Sequence, residues 1–362
     1  MKKHHKLALL VEGAKDIFNA KTASLLLRYR ANDVVALIDP THSTAKPNIF
    51  AKQGIPIFNS INQVVGNVDA LVICLVLPEG KIPQSWLNEV TTAIKNGIDV
   101  LNPLHINLGT LEPVVKVLGK VDPVSTDSVT VFKNGTGKVY NIRAVPDDLE
   151  LLSLKVLNTK AKRVLTVGTD CNLGKMLTTL ELNTAALKHG LDSGFIATGQ
   201  IGILVKGEGI AIDRVISDFL PGAVEKLILN EQDRDILFIE GQGSLFSPLY
   251  SAVTLGLIHG SAPDAMILCH APTRKKVRYT DNNMPDLKTA IKVYENMAGI
   301  VNKCKVIGIS LNCHDLSDAE AKQVVAEVEK QTGLPATDPV KFGIDKLFEA
   351  IKKEFLKSGC DC

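Results

Sequence analysis

The sequence predicts an α/β protein with two domains, an N-terminal Rossmann-like domain and a C-terminal doubly wound P-loop NTPase-like domain. Three observations support this prediction. Continuous apolar runs alternate with helix-like segments, which is typical of parallel strands covered by helices on both faces. The chain of 362 residues exceeds the usual size of one domain. Near the middle, a glycine-bounded loop joins an apolar run to a helix-like segment.

The Rossmann-like domain is expected over residues 1–110. Its apolar runs predict strands and its amphipathic segments predict helices. Residues 6–14 read as a strand followed by a loop, further strands are at 34–39, 55–58, 70–78 and 97–102, and helices are at 20–30 and 83–96. Asp39 ends the second strand and would suit a ribose hydroxyl. The first turn, however, reads Glu-Gly-Ala-Lys and lacks the Gly-x-Gly-x-x-Gly pattern. Contacts to a substrate or partner are therefore a better interpretation of this domain than a dinucleotide site.

Residues 111–160 change in character, and we interpret them as a connecting β segment that leads into the second domain. The runs SVTVFK and KVYNIR flank Asn134-Gly135, which predicts a hairpin over 128–143.

The second domain is expected over residues 161–362, where the alternation of strands and helices resumes. Strands are predicted at 163–168, 194–198, 235–240, 264–270 and 305–311, and helices at 175–189, 213–229, 286–300, 317–331 and 343–356. In a doubly wound domain, ligands bind outside the carboxyl ends of the strands.

Composition limits the classes of function. A net charge of +2 argues against a general nucleic-acid or membrane-surface role, and no apolar run is long enough to span a bilayer. The seven cysteines fit a reducing cytoplasm, where we expect this protein to act. No metal site is expected, because the one suggestive spacing, Cys360-Asp-Cys362, ends the chain where fraying is common. We expect a small-molecule substrate and a homo-oligomer.

The stretch RVLTVGTDCNLGKMLTTLE, residues 163–181, reads as a strand, a loop and a helix. Such a loop turns successive backbone N–H groups towards an anion, and the helix N-terminus behind it favours negative charge. Lys175 adds a positive charge beside that anion. We predict that a phosphate-bearing cofactor contacts Gly168, Thr169, Asp170, Cys171, Asn172, Leu173, Gly174, Lys175 and Met176.

Two details depart from the common phosphate-binding loop. Five residues, not four, separate Gly168 from Gly174. Met176 stands where a Ser or Thr normally follows the lysine and holds Mg²⁺. Thr178 and Thr179 lie about 3–4.5 Å further along the helix, at 1.5 Å per residue. The loop therefore suits a phosphate but is poorly equipped for Mg²⁺-ATP.

Cys171 lies inside this loop. The helix N-terminus and Lys175 would lower the pKa of its thiol, which makes an acyl-thioester relay conceivable. A small loop residue without chemistry is the simpler interpretation.

Glu240 ends the predicted strand 235–240 and is followed by Gly-Gln-Gly. It could act as a general base or hold a cation through water, or it could accept N–H groups and fix the glycine loop. Gly199 and Gln200 follow a neighbouring strand, where glycine lets the backbone approach a ligand. We assign Glu240 to catalysis, and Gly199, Gln200 and Gln242 to substrate binding.

Asp213 and Asp218 lie five residues apart near the start of a predicted helix. Either carboxylate could bind the ammonium group of an amino-acid substrate, although Asp213 could instead cap the helix. His270 ends another strand and could move a proton near neutral pH. Arg274 follows it and could bind a substrate carboxylate or phosphate with two hydrogen bonds, unless the loop is simply solvated.

The loop resembles that of the dethiobiotin synthetase class, which also has Gly-Thr-Asp-x-x-x-Gly-Lys. Nearly the whole chain resembles a bacterial two-domain family long catalogued as a domain of unknown function, some members of which are assigned as D-glutamate (D-amino acid) N-acetyltransferases. The stretches that carry this likeness are VGTDCNLGKM at 167–176, ATGQIGILVKGEGIAIDRVISDFLPGAVE at 197–225 and FIEGQGSLFSP at 238–248.

The family resemblance implies acetyl-CoA as the cofactor and acetyl transfer to a D-amino acid such as D-glutamate. That reaction needs an unprotonated amine, so a base such as Glu240 or His270 would be useful. Asn312 could be an ordinary turn residue. The resemblance to dethiobiotin synthetases implies instead that it contacts the nucleobase, which would be adenine in ATP or coenzyme A. Two alternatives remain open: an ATP-dependent ligase or kinase that uses Mg²⁺, and a nucleotide-binding sensor without catalysis.

Overall fold

The computed structural model describes residues 4–12, 14, 20–43, 48–74 and 82–355. The chain forms two compact units, Met1–Pro146 with Ile203–Ala211, and Asp147–Gly202 with Ile212–Cys362. Three features predicted from the sequence lie partly or wholly outside the described residues. They are the turn after the first strand, the end of the strand at 70–78, and the Cys360–Cys362 pair.

The first unit contains a sheet of mainly parallel strands, which confirms the Rossmann-like prediction. Its strands are β1 (Leu7–Leu10), β2 (Val34–Ile38), β3 (Ile57–Phe58), β4 (Ala70–Ile73), β5 (Asp99–Asn102), β6 (Val129–Thr130) and β7 (Val139–Asn141), and its helices are α1 (Lys21–Tyr29), α2 (Gln84–Lys95) and α3 (Glu112–Leu118). The strand order is β3-β2-β1-β4-β5-β7-β6. Every residue of β1, β4 and β5 is buried, as expected of strands covered on both faces.

The hairpin predicted over 128–143 is present, but it does not form a separate connection between domains. Strand β7 pairs parallel to β5, and β6 pairs antiparallel to β7, so both strands extend the first sheet. Residues 111–146 therefore belong to the first unit, and the second begins at Asp147. The apolar side chains Phe132 and Val139 are buried, which explains why this segment joins a sheet.

Asp39 follows β2 and is buried. Its Oδ1 accepts hydrogen bonds from the backbone N–H and the hydroxyl of Thr41, at 3.0 and 2.7 Å, and its Oδ2 accepts one from Asn48 Nδ2 at 2.7 Å. The carboxylate thus stabilises its own loop, a role that needs no ribose.

The second unit contains a parallel sheet with the order β13-β12-β11-β8-β10-β9. Its strands are β8 (Lys162–Gly168), β9 (Ser193–Ile196), β10 (Ile236–Ile239), β11 (Ala265–His270), β12 (Lys305–Leu311) and β13 (Ala336–Thr337). Its helices are α4 (Lys175–Lys188), α5 (Gln200–Lys206), whose residues from Ile203 cluster with the first unit, α6 (Leu220–Leu229), α7 (Ser251–Ser261), α8 (Leu287–Ala298), α9 (Asp318–Thr332) and α10 (Asp345–Phe355).

The strand order places β8 between β10 and β11. From β8 the chain first builds one side of the sheet with β9 and β10, and then crosses to the other side with β11 and β12. The end of β8 is therefore a topological switch point, where open α/β sheets bind ligands. On one face of this sheet, Val164 and Phe238 pack in a buried cluster with Leu182 of α4 and Phe348 of α10.

The helix predicted at 213–229 is shorter than expected. Short 3-10 turns occupy Ile212–Arg214 and Ser217–Phe219, and α6 begins only at Leu220. Pro221 explains the late start, because proline fits the first turn of a helix but disrupts a helix interior. Asp213 therefore does not cap this helix. Across the described ranges, no helix has both the length and the apolar character that crossing a membrane requires.

Candidate functional site

The loop between β8 and α4 has the geometry of an anion-binding turn. Asn172 and Gly174 both adopt left-handed conformations, with φ values of 53° and 98°. Gly174 directly precedes α4 and provides no side-chain cap. The first N–H groups of a helix have no partner within the helix. At α4 they face the end of the loop and can donate to a bound phosphate.

Lys175 is the first residue of α4 and is 6% exposed. Its Nζ donates to the carbonyl oxygen of Asp170 across the loop at 2.8 Å. Gly241, just after β10, lies close by: a Cβ added there would be 1.7 Å from the carbonyl oxygen of Thr166 and 3.1 Å from Lys175 Cδ. A glycine at 241 is therefore required for the chain after β10 to pack against β8 and the lysine.

Asp170 is fully buried, and both of its carboxylate oxygens accept hydrogen bonds from the protein. Oδ1 accepts from the N–H of Cys171 at 2.7 Å. Oδ2 accepts from the backbone N–H of Arg278 and from Arg274 Nη1, each at 2.8 Å. Arg274 Nη1 also donates to the carbonyl oxygen of Cys171 at 2.8 Å. Arg274, for which the sequence suggests a substrate carboxylate or phosphate, is thus bonded to the loop itself.

Cys171 differs from the expectation of an activated thiol. Burial raises the pKa of this thiol, and the Asp170 carboxylate raises it further, while Lys175 and Arg278 act in the opposite direction. The expected lowering of the pKa was wrong, because desolvation and the adjacent carboxylate outweigh the nearby cations. An acyl-thioester relay through Cys171 loses its physical basis.

The two threonine hydroxyls that follow Met176 in α4 are already hydrogen-bonded. Thr178 Oγ1 lies 2.7 Å from Ser310 Oγ, and Thr179 Oγ1 donates to the carbonyl oxygen of Lys175 at 2.8 Å. Both threonines and Met176 are buried. Within the described residues, no group of three or more His, Cys, Asp or Glu side chains could hold a metal ion.

Glu240 follows β10 and is buried. Its Oε2 accepts hydrogen bonds from the backbone N–H groups of Thr198 and Gly199 at 2.9 and 3.1 Å, while Thr198 Oγ1 donates to the carbonyl oxygen of Glu240 at 2.6 Å. A Cβ at Gly202 would lie 2.3 Å from Glu240 Oε2. These contacts fix the turn after β9. Glu240 thus accepts backbone N–H groups, as one of its predicted roles required, but from this turn and not from the Gly-Gln-Gly segment that follows it.

His270, the last residue of β11, lies beside the loop. Its Nδ1 is 2.9 Å from Thr169 Oγ1. Burial lowers the pKa of His270 from 6.5 to about 4, and the positive charges of Arg274 and Lys275 contribute to this shift. The imidazole is therefore neutral at pH 7. It can accept a proton, but with a low affinity.

The remaining predicted residues lie around this edge of the sheet or on the surface. Asn312 follows β12, its backbone N–H donates to the carbonyl oxygen of His270 at 2.8 Å, and its Oδ1 accepts from the N–H of His314 at 3.3 Å. Gln242 Nε2 lies 3.5 Å from Thr198 Oγ1, next to Gly199 and Gln200. Asp213 and Asp218, by contrast, are exposed in the 3-10 turns before α6.

Sequence reasoning missed two residues that hold the end of β8. Ser244 Oγ and the hydroxyl of Tyr294 each donate to the carbonyl oxygen of Gly168 at 2.7 Å. The backbone N–H of Leu245 donates in turn to the Tyr294 hydroxyl at 3.1 Å. Ser244 follows Gly-Gln-Gly and could have been suspected. Tyr294 lies within α8 and has no sequence signal that distinguishes it from a core residue.

The fold and this site define a two-domain protein with a Rossmann-like unit and a P-loop unit. A model described as the P-loop domain of a family of unknown function, DUF1611_C, matches residues 149–348, and a model of the Rossmann-like domain DUF1611_N matches residues 42–120. The chain belongs to this two-domain DUF1611 family, as the sequence analysis predicted.

Relatives agree with this assignment. A protein named D-glutamate N-acetyltransferase from Tritonibacter scottomollicae is 35% identical over 345 residues, which cover 95% of this chain and 97% of the relative. A protein of the same name from a Pseudoalteromonas species is 36% identical over 273 residues, or 74% of this chain and 76% of the relative. The crystal structure of a DUF1611 family protein from Anabaena variabilis ATCC 29413 superimposes with a TM-score of 0.84 at 34% identity, covering 96% of this chain and 99% of that one.

Proposed function

We propose that this protein is an N-acetyltransferase that moves an acetyl group from acetyl-CoA to the amine of a D-amino acid, with D-glutamate as the first acceptor to test. The type of reaction and the acceptor come from the name shared by two relatives at about 35% identity. The structural observation that supports the cofactor is a helix N-terminus without a side-chain cap behind a loop that holds a buried lysine.

Coenzyme A fits this loop better than Mg²⁺-ATP does. The α4 N–H groups and Lys175 would bind phosphate oxygens through hydrogen bonds and positive charge. The hydroxyl that usually holds Mg²⁺ in such a loop is replaced by Met176. The oxygens of Asp170 in the loop and of Thr179 in α4 are already bonded within the protein. Coenzyme A suits these residues because its phosphates do not react and need no metal to stabilise a developing charge.

Acetyl transfer from a thioester makes definite demands on the protein. The neutral amine attacks the thioester carbonyl carbon, the C–S bond breaks, the thiolate leaves, and the nitrogen loses a proton. His270 is neutral at pH 7 and is our proposed proton acceptor. Backbone N–H groups of the glycine-rich loops are the proposed donors to the thioester oxyanion. Glu240 would position the turn that carries Gly199 and Gln200.

The test is thiol release from acetyl-CoA with D-glutamate, L-glutamate or no acceptor, together with mass spectrometry of the amino acid. We expect thiol release that depends on the D-amino acid and an N-acetylated product. An ATP-hydrolysis assay under the same conditions serves as the control. ATP cleavage without thiol release would replace this proposal with the ligase alternative.

A further inference from the structure

The rim of the loop between β8 and α4 contains a group of basic and aromatic side chains. Arg278 and Tyr279 are exposed, and the Arg278 guanidinium lies 5.2 Å from the centre of the Tyr279 ring. Tyr250, at the start of α7, is 39% exposed. The charge of Arg278 acts on both Cys171 and Tyr250, where it opposes the rise in pKa caused mainly by burial. These four residues therefore lie near one another at the loop.

Arg278 is fixed to the loop through its backbone. Its N–H donates to Oδ2 of the buried Asp170 at 2.8 Å, so the start of its side chain is held at a defined distance from the loop. The next residue, Tyr279, has φ 64°, a left-handed conformation that residues other than glycine, asparagine and aspartate seldom adopt. Strained backbone of this kind concentrates at ligand-binding sites.

The other cations at this site are mostly bonded to the protein. Lys175 donates to Asp170 O, Arg274 pairs with the Asp170 carboxylate, and Lys276 pairs with Asp281 at 2.9 Å. Arg278 forms no ion pair with any residue in the described ranges. Lys275 is exposed too, but its charge acts on His270 rather than on the Cys171 side of the loop.

An amino-acid acceptor brings at least one carboxylate to the site, and D-glutamate brings two. Arginine binds carboxylates with two parallel hydrogen bonds, which fixes orientation as well as charge. The α4 N-terminus and Lys175 already suit the coenzyme phosphates, so a cation outside the loop is left for the acceptor. Resting on the proposed function, we infer that Arg278 binds a carboxylate of the acceptor amino acid, and that Tyr250 and Tyr279 form the adjoining walls of this subsite.

The experiment compares Arg278→Gln with Lys276→Gln in the full-length protein. Both changes remove one positive charge from the same connection between β11 and α8, but the Lys276 ion pair with Asp281 is exposed. For Arg278→Gln we expect KM for D-glutamate to rise about 10- to 100-fold, the loss typical of a charged hydrogen bond. KM for acetyl-CoA should stay within about twofold. Lys276→Gln should match the wild type, and Arg278→Lys should recover part of the loss.

Calorimetric titration of D-glutamate into the protein with coenzyme A gives a second readout that needs no turnover. The inference is overturned if Arg278→Gln leaves KM and binding of D-glutamate unchanged, or if only KM for acetyl-CoA rises, which would assign Arg278 to a coenzyme phosphate. If the wild type binds D-glutamate and Arg278→Gln does not, but the wild type releases no thiol, the proposed function is refuted and the carboxylate subsite stands. Wild-type protein that neither binds nor acetylates D-glutamate would refute both.

Discussion

Arg274 Nη1 lies 2.8 Å from Asp170 Oδ2, and this ion pair ties the segment after β11 to the loop between β8 and α4. Asp170 is completely buried, whereas the Arg274 side chain is 26% exposed. The negative charge inside the loop is thus balanced by an arginine of the same chain. The pair links the loop to His270, because the charge of Arg274 also helps to lower the pKa of that histidine.

The first prediction concerns the stability that this pair provides. Arg274→Met should lower the free energy of unfolding by about 3–5 kcal/mol, because removal of one partner leaves a buried carboxylate without its counter-charge. Chemical denaturation measures this change. Lys276→Met is the matched control and should cost less than about 1 kcal/mol, since it breaks an exposed pair. Equal losses of unfolding free energy in the two variants would show that backbone N–H donors alone are enough to stabilise the buried Asp170 carboxylate.

The second prediction concerns Lys175. Lys175→Met keeps most of the side-chain volume in a buried position but removes the charge and the hydrogen bond to Asp170 O. We expect coenzyme A binding to weaken by at least tenfold in calorimetry, because a charged hydrogen bond to phosphate is typically worth 1.5 kcal/mol or more, about a factor of ten. The melting temperature should change little. Unchanged affinity in a folded variant would remove Lys175 from the binding site.

Much of the fold could be predicted from the sequence, because continuous apolar runs and glycine turns specify parallel strands locally. The predicted strands at 163–168 and 305–311 correspond to Lys162–Gly168 and Lys305–Leu311. The sequence does not show that the hairpin before Pro146 joins the first sheet, because its place at the edge of that sheet depends on pairing with β5, which is distant in sequence.

The contacts that the side chains of the candidate site form were harder to predict than the location of the site. The loop could be recognised from its glycines and lysine, but the use of Arg274 could not, since its partner Asp170 lies more than 100 residues earlier in the chain. Cys171 shows the same limit. Its thiol pKa depends on how deeply the loop is buried, and a local pattern does not contain that information.

The third prediction is a pH dependence of stability that His270 causes. Its pKa is about 4 in the folded protein and 6.5 in the unfolded reference, so between these values the unfolded chain binds a proton that the folded protein does not. Stability should therefore fall as the pH drops from about 6.5 to about 4. The loss from this group is on the order of 3 kcal/mol, because the pKa differs by about 2.5 between the two states and each pKa unit is worth 1.36 kcal/mol.

His270→Asn isolates this contribution from that of the carboxylates. Denaturation curves at several pH values should show a shallower loss of stability below pH 6.5 in the variant, and the two proteins should run parallel above pH 7. Parallel curves over the whole range would mean that His270 titrates normally in the folded protein.

The last prediction concerns metal ions. Met176 offers no oxygen, both oxygens of Asp170 accept protein N–H groups, and the Thr179 hydroxyl is bonded within α4. If the loop binds coenzyme A, thiol release should be the same with and without EDTA, because the coenzyme phosphates do not react. If it binds ATP, the developing charge on the γ-phosphoryl group normally requires a divalent ion, so activity would disappear with EDTA. Met176→Thr places a hydroxyl where such loops usually hold Mg²⁺. It should therefore increase the rate of a metal-dependent reaction only. Thiol release that is insensitive to EDTA in both proteins is the expected result, and Mg²⁺-dependent ATP cleavage that increases in Met176→Thr would contradict it.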